Sequence, residues 1–161
     1  MTTLKDFFAR HPRTALGFSG GTDSAYLLYA GTSLGADVRP YYIKTQFQPA
    51  FELADARRLA DELGVELTVI EADILADDAV AANPPDRCYH CKRALFTLLA
   101  ERAASDGYSE LIDGTNASDD PGDRPGTRAL RELRVLSPLR ECGITKADVR
   151  RLSREAGLFT Y

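Results

Sequence analysis

The sequence predicts an α/β fold, a doubly wound parallel sheet with helices on both faces. Three observations predict it. Short apolar runs alternate with stretches of helical periodicity along the chain. The first run, "TALGF" at residues 14–18, is continuously apolar, as a strand buried on both faces must be. It feeds directly into a Gly/Ser loop and then a helix-like stretch, the unit from which parallel sheets are wound.

The elements follow in order. After the loop, "TDSAYLLYAGTSLG" reads as a helix starting near Asp23 and closing at Gly31 or Gly35. "VRPYYIKT", residues 38–45, reads as the second strand. In "PAFELADARRLADELG", Leu53, Ala56, Ala60 and Leu63 recur at helical spacing between Pro49 and Gly64. "VELTVIEAD" alternates Val65, Leu67 and Val69, a strand pattern. "CKRALFTLLAERAASDG" places Ala94, Leu95, Leu98 and Leu99 on one helical face. "SELIDGTN" reads as a strand ending in a glycine turn, and "DDPGDRPGTR", residues 119–128, as a long loop. "TKADVRRLSREAG" opens with a Thr145/Asp148 capping box and closes at Gly157. No internal repeat is present, and we read residues 1–161 as a single domain.

Composition bounds the function. Apolar residues make up 44% and charged residues 27%, as in ordinary globular chains. The net charge of −4 argues against general nucleic-acid binding. No apolar run is long enough to span a membrane. "MTTLKDFFARHPRT" lacks the apolar core of a secretory leader, so the expected location is the cytoplasm. Three cysteines, two of them a C-x-x-C pair, fit a reducing compartment better than a disulfide framework.

In sheets of this kind ligands bind at the carboxyl ends of the strands, where the stretch "LGFSGGTDSAYLLYA" places its loop. Gly20 and Gly21 allow close backbone approach, and Ser19, Thr22 and Ser24 add hydroxyl donors. Successive amides and the helix N-terminus behind them make a phosphate cradle. It is neither a Walker loop, since G-x-x-x-x-G-K-[ST] is absent, nor the dinucleotide G-x-G-x-x-G. Asp23 would repel a bare phosphate, so its presence implies a cation, most simply Mg²⁺ on pyrophosphate.

"SGGTDS" matches the S-G-G-x-D-S loop of the ATP pyrophosphatase (PP-loop) superfamily. "NPPDRCYHCK" (83–92), "DGTNASDD" (113–120), "DRPGTRALRELRVLSPL" (123–139) and "GITKADVRRLSREAGL" (143–158) follow in order. Together they resemble the N-terminal domain of the LarE family of ATP-dependent sulfur transferases. The resemblance implies an adenine nucleotide alpha-hydrolase-like fold and cleavage of ATP between its α and β phosphates. An acceptor carboxylate or carbonyl would be adenylylated, and an attack at the α phosphate does not require the Walker lysine. It further implies that Ile43, Lys44 and Thr45 meet adenine through backbone groups and that Asp113, Gly114, Thr115 and Asn116 lie close to the nucleotide. In the family, a later C-x-x-S-R-type motif carries a cysteine that donates sulfur or helps to hold an iron–sulfur cluster. That motif is not among these residues.

Cys88 and Cys91 in "RCYHCK" stand at or just before a helix start, where the dipole, Arg87 and Lys92 favour thiolates. They read either as two metal ligands, as a sulfur-carrying dithiol or as free thiols. With Cys142 they would make three thiolates, a number that suits a [4Fe–4S] cluster with one open iron, although Cys142 does not match the position of the family's third ligand. Cys142 alone reads as a small half-buried residue. Arg124 and Arg128 flank "RPGT" and either grip phosphate or carboxylate or form a solvated basic loop. The expected reactants are ATP, Mg²⁺, a small-molecule acceptor and a sulfur source, in a homo-oligomer. The competing readings are an amide-forming or tRNA-modifying relative and a nucleotide-binding module without full activity.

Overall fold

In the computed structural model, residues 3–18, 21–44, 50–71, 87–118 and 131–158 are described, those at 87–92 by their backbone alone. Among the described residues four strands form one parallel sheet in the order β3-β2-β1-β4: β1 Arg13–Gly17, β2 Asp37–Lys44, β3 Thr68–Glu71 and β4 Leu111–Ile112. The helices are α1 Leu4–Arg10, α2 Thr22–Ser33, α3 Ala50–Leu63, α4 Arg87–Ser105, α5 Pro138–Glu141 and α6 Lys146–Glu155.

The chain winds outward from β1 through β2 to β3, then returns to place β4 on the other side of β1. Right-handed crossovers in opposite directions put their helices on opposite faces. The strands show this residue by residue. Leu16, Tyr42 and Ile112 belong to a core shared with α1, α2, α3 and α6, whereas their neighbours Ala15, Tyr41 and Leu111 belong to a second core under α4. The fold is the doubly wound α/β sheet that the sequence predicts. Its switch point lies between β1 and β4.

Most elements stand where the sequence places them. Gly35, Gly64 and Gly157 adopt positive φ (81°, 69° and 77°) just beyond α2, α3 and α6, as helix-terminating glycines do. The Thr145/Asp148 capping box is present in both directions. The second strand begins one residue early, at Asp37. Val65, Leu67 and Val69 pack on one face, but ladder pairing in β3 covers only Thr68–Glu71. The buried stripe of α4 differs from the expected one. Phe96, Leu99 and Ala103 face the sheet, while Leu98 is exposed. The large Phe96 ring lies against Gly17, and this sets the rotation of the helix. β4 is reduced to two residues, with Ile112 bridging Leu136 on its outer side. Two helices were not foreseen. α1 carries its own Thr3/Asp6 capping box, and α5 opens with Pro138 in its first turn, where proline costs nothing.

At the amino ends of the strands a polar network fastens α4 to the sheet. Tyr41 donates to Asp106 at 2.7 Å, and Tyr108 donates to Asp37 at 2.8 Å. Arg39 donates to Thr68 and lies over the Tyr41 ring. The hydrogen bond from Tyr41 holds the Asp106 carboxyl below its usual range, while burial pushes the Tyr41 hydroxyl far up.

Gly31 is where α2 passes closest to β2 and α1. A Cβ there would lie 2.6 Å from Val38 Cγ2 and 3.0 Å from Phe8 Cζ. Val38 is branched at Cβ and cannot swing away. Gly31→Ala therefore lowers stability by about 1–3 kcal/mol in urea titration, although alanine is the better helix former. An unchanged or raised midpoint would show that the helix has room to shift.

Candidate functional site

The site is assembled from three chain segments at the carboxyl end of the sheet. The first is the start of α2. Its N-cap is Gly21, extended at φ −79° and ψ 174°, with no capping side chain. Thr22, Asp23 and Ser24 form the first turn. Ser24 is buried and its hydroxyl turns back to the Gly21 carbonyl at 3.4 Å. The strand end beneath is held by Phe18 N–H donating to the Tyr41 carbonyl at 2.9 Å.

The second segment follows β4. Gly114 does not need an unusual φ; it needs room. A Cβ there would lie 2.9 Å from Ser24 N and 3.3 Å from the Asp23 carbonyl carbon. The backbone after β4 is thus seated directly on the first turn of α2. Asp113, 5% exposed, locks this loop. Its Oδ1 accepts from Thr115 N–H at 3.2 Å and from the Ser137 hydroxyl at 2.7 Å, and its Oδ2 accepts from the Thr115 hydroxyl at 2.7 Å. Thr115, expected beside the nucleotide, spends its hydroxyl on Asp113 and acts through the loop's shape. Buried Asn116 accepts from Ser118 N–H at 2.8 Å.

The third segment is the start of α6. Ala117 N–H donates to the Ile144 carbonyl at 2.8 Å, and Lys146 N–H donates to the Ser118 hydroxyl at 3.1 Å. These bonds bring Lys146 over α2, where its ammonium donates to Asp23 Oδ2 at 3.0 Å. The other carboxylate oxygen, Oδ1, is buried and has no hydrogen-bond partner among the described residues.

Lys146 is the residue that sequence reasoning missed. A signal was present. A cation in the first turn of a helix opposes the positive end of the macrodipole and costs a few tenths of a kcal/mol or more unless an anion offsets it. A residue set against a local rule marks a place where another requirement dominates.

Ile43 and Lys44 end β2 on the same edge. Ile43 is partly buried against the α4 core and Lys44 is exposed. Cys88 and Cys91 fall in the first turn of α4, which supports the expected helix-start location. Ser19, Gly20, Thr45, Arg124, Arg128 and the side chains of Cys88 and Cys91 lie outside the described residues.

Cys142 closes α5 and belongs to the core on the α1 and α2 face of the sheet, opposite the α4 core. Burial pushes its thiol pKa up. Among the described residues no group of three histidine, cysteine or acidic side chains could hold a metal ion. No described helix is long and apolar enough to cross a membrane.

The chain is similar to proteins of known and unknown role. It is 34% identical over 161 residues to the uncharacterized protein slr1717 of Synechocystis, covering 98% of this chain and 59% of that protein. It is 34% identical over 163 residues to pyridinium-3,5-bisthiocarboxylic acid mononucleotide synthase of Lactiplantibacillus plantarum, covering 100% of this chain and 58% of the synthase. The chain thus spans under two thirds of the length of both relatives. Among solved structures it resembles the NH3-dependent NAD synthetase of Campylobacter jejuni, with a TM-score of 0.75 and 22% identity over 97% of this chain and 71% of the synthetase. No protein-family model matches. With the S-G-G-x-D-S motif in its sequence and these relatives, the chain belongs to the PP-loop ATP pyrophosphatase superfamily and resembles its LarE-like members.

Proposed function

We propose that this chain is the ATP-activating part of a sulfur transferase that forms AMP and pyrophosphate. The observation that carries the reading is the meeting of Asp23, Lys146 and the Gly114 loop over the first turn of α2. Ser19, Gly20, Gly21, Thr22 and Ser24 cradle the pyrophosphate portion of ATP through amides and hydroxyls. Lys146, from another helix, supplies the positive charge that a Walker loop carries within itself. Ile43, Lys44 and Thr45 border the adenine, and Arg124 and Arg128 reach phosphate or acceptor carboxylate.

Mg²⁺ fits the chain. Asp23 offers a buried, unpartnered Oδ1, and one carboxylate plus substrate phosphates is the usual Mg²⁺ environment. Bound there, the ion would neutralise the departing pyrophosphate. The residues' task is to align an acceptor oxygen with the α phosphorus so that the acyl adenylate forms and pyrophosphate leaves. A sulfur nucleophile then attacks the activated carbon and AMP departs with the original oxygen. The relative's name describes a thiocarboxylate product, which supports an oxygen-to-sulfur exchange on a small carboxylate.

In this reading one thiol of the Cys88/Cys91 pair, favoured by the N-terminus of α4, holds the sulfur as a persulfide whose outer sulfur attacks the activated carbon. The other thiol cleaves the resulting acyl disulfide, releasing the thiocarboxylate and leaving a Cys88–Cys91 disulfide. No step here is routed through a [4Fe–4S] cluster, and Cys142 is buried in the core on the α1 and α2 face of the sheet. We place the protein in the cytoplasm as a homo-oligomer without nucleic-acid partners.

The test is AMP and pyrophosphate release from ATP, with pyridinium-3,5-dicarboxylic acid mononucleotide as acceptor. Asp23→Ala reduces release by about 10²-fold or more, the scale of losing a main electrostatic group, with the circular-dichroism spectrum unchanged. AMP formation at the parent rate would refute the assignment.

Sulfur transfer is read separately, by the mass of the product. Cys88→Ser, Cys91→Ser and the double variant lose it equally while keeping adenylylation. Cys142→Ser retains it, since a buried protonated thiol is a poor nucleophile. Loss of transfer in Cys142→Ser alone would reverse the assignment.

A further inference from the structure

The Asp23–Lys146 pair poses a question that the reaction does not answer. An acidic side chain meant for a divalent cation is already neutralised by a lysine 3.0 Å away. The pair is partly shielded, with side chains 25% and 36% exposed. Lys146 is also tethered, by its own N–H to Ser118 and by the capping box that begins α6. The lysine is therefore held at Asp23 by the fold. Asp113, in the loop after β4 that sits on the first turn of α2, has both oxygens occupied by Thr115 and Ser137.

We infer that Lys146 is a displaceable counter-ion that keeps bare divalent cations off Asp23 and makes metal entry depend on nucleotide. This rests on the proposed pyrophosphate site. Without nucleotide, a cation reaching Asp23 must approach an ammonium within one side-chain length, and like charges so close repel strongly. Polyphosphate changes the balance, because it gives the ammonium a better partner. Lys146 turns to the phosphates, Asp23 Oδ2 is released, and both carboxylate oxygens become available to a cation that arrives on the nucleotide. The order is nucleotide with metal, never metal first. Asp23 thereby stays neutralised in the resting protein despite a buried oxygen that lacks a partner.

Mn²⁺ is the probe, titrated as MnCl2 and followed by the electron paramagnetic resonance signal of the free ion. It is added with and without α,β-methylene-ATP, which cannot be cleaved between the α and β phosphates. Without nucleotide, Lys146→Gln binds Mn²⁺ about tenfold more tightly than the parent, the scale of one charge-assisted contact. Lys146→Arg, which keeps the charge, stays as weak as the parent. The gain in Lys146→Gln disappears when Asp23→Asn is added. With the nucleotide analogue the order reverses, and the parent holds Mn²⁺ more tightly than Lys146→Gln.

Equal Mn²⁺ binding by parent and Lys146→Gln without nucleotide, with analogue-dependent binding still lost in Asp23→Asn, would overturn the counter-ion role and leave the site assignment standing. A gain that survives Asp23→Asn would also overturn it, since the metal would then sit elsewhere. Asp23→Asn binding Mn²⁺ and analogue as well as the parent would overturn the site assignment itself.

Discussion

The close seat of Gly114 on the first turn of α2 is the constraint on which the site depends. No side chain fits between that backbone and Ser24 N. The contact follows from the winding of the sheet. β1 and β4 are neighbours whose following segments leave the sheet at its switch point, and their ends must share one crevice. Glycine lets the crevice close until two backbones touch. Asp113 then fixes the approach by taking hydrogen bonds from Thr115 and Ser137, so the loop cannot retreat from the helix. The Ala117–Ile144 and Lys146–Ser118 bonds extend the same loop to α6.

Electrostatics follow from this geometry. The N-termini of α2 and α6 are joined by the Lys146–Asp23 bond, and both favour anions. Lys146 adds a positive charge that both N-termini disfavour, and Asp23 offsets it. In the counter-ion role we infer, the two charges stay a neutral pair until a polyphosphate and its cation replace each partner. Lys146 would then bring to the site, from more than a hundred residues later, a positive charge that "SGGTDS" does not carry.

Much of this was legible in the sequence where a local rule acted alone. The glycines after α2, α3 and α6 stop helices because they adopt positive φ, and Thr145/Asp148 caps α6 through its own backbone. The apolar run at Thr14 to Phe18 placed β1 and the loop that follows its carboxyl end. What was misread depends on contacts between distant residues. The face of α4 is set by Phe96 against Gly17, which periodicity within the helix does not reveal. Gly114 reads as a turn glycine, yet serves a close approach to a helix ninety residues earlier in the chain. Lys146 acquires its meaning only from Asp23. α1 was the avoidable omission, because Thr3 and Asp6 spell a capping box in the sequence itself.

The central claim is that ATP binds where α2, the loop after β4 and the start of α6 converge. Hydrogen–deuterium exchange of the chain with and without millimolar Mg²⁺·ATP tests it without an acceptor or a sulfur source. The account predicts new protection in peptides covering residues 16–24, 113–118 and 144–147, and none at the opposite edge around residues 105–110. Protection confined to other segments, or no change in the first two peptides, would contradict it.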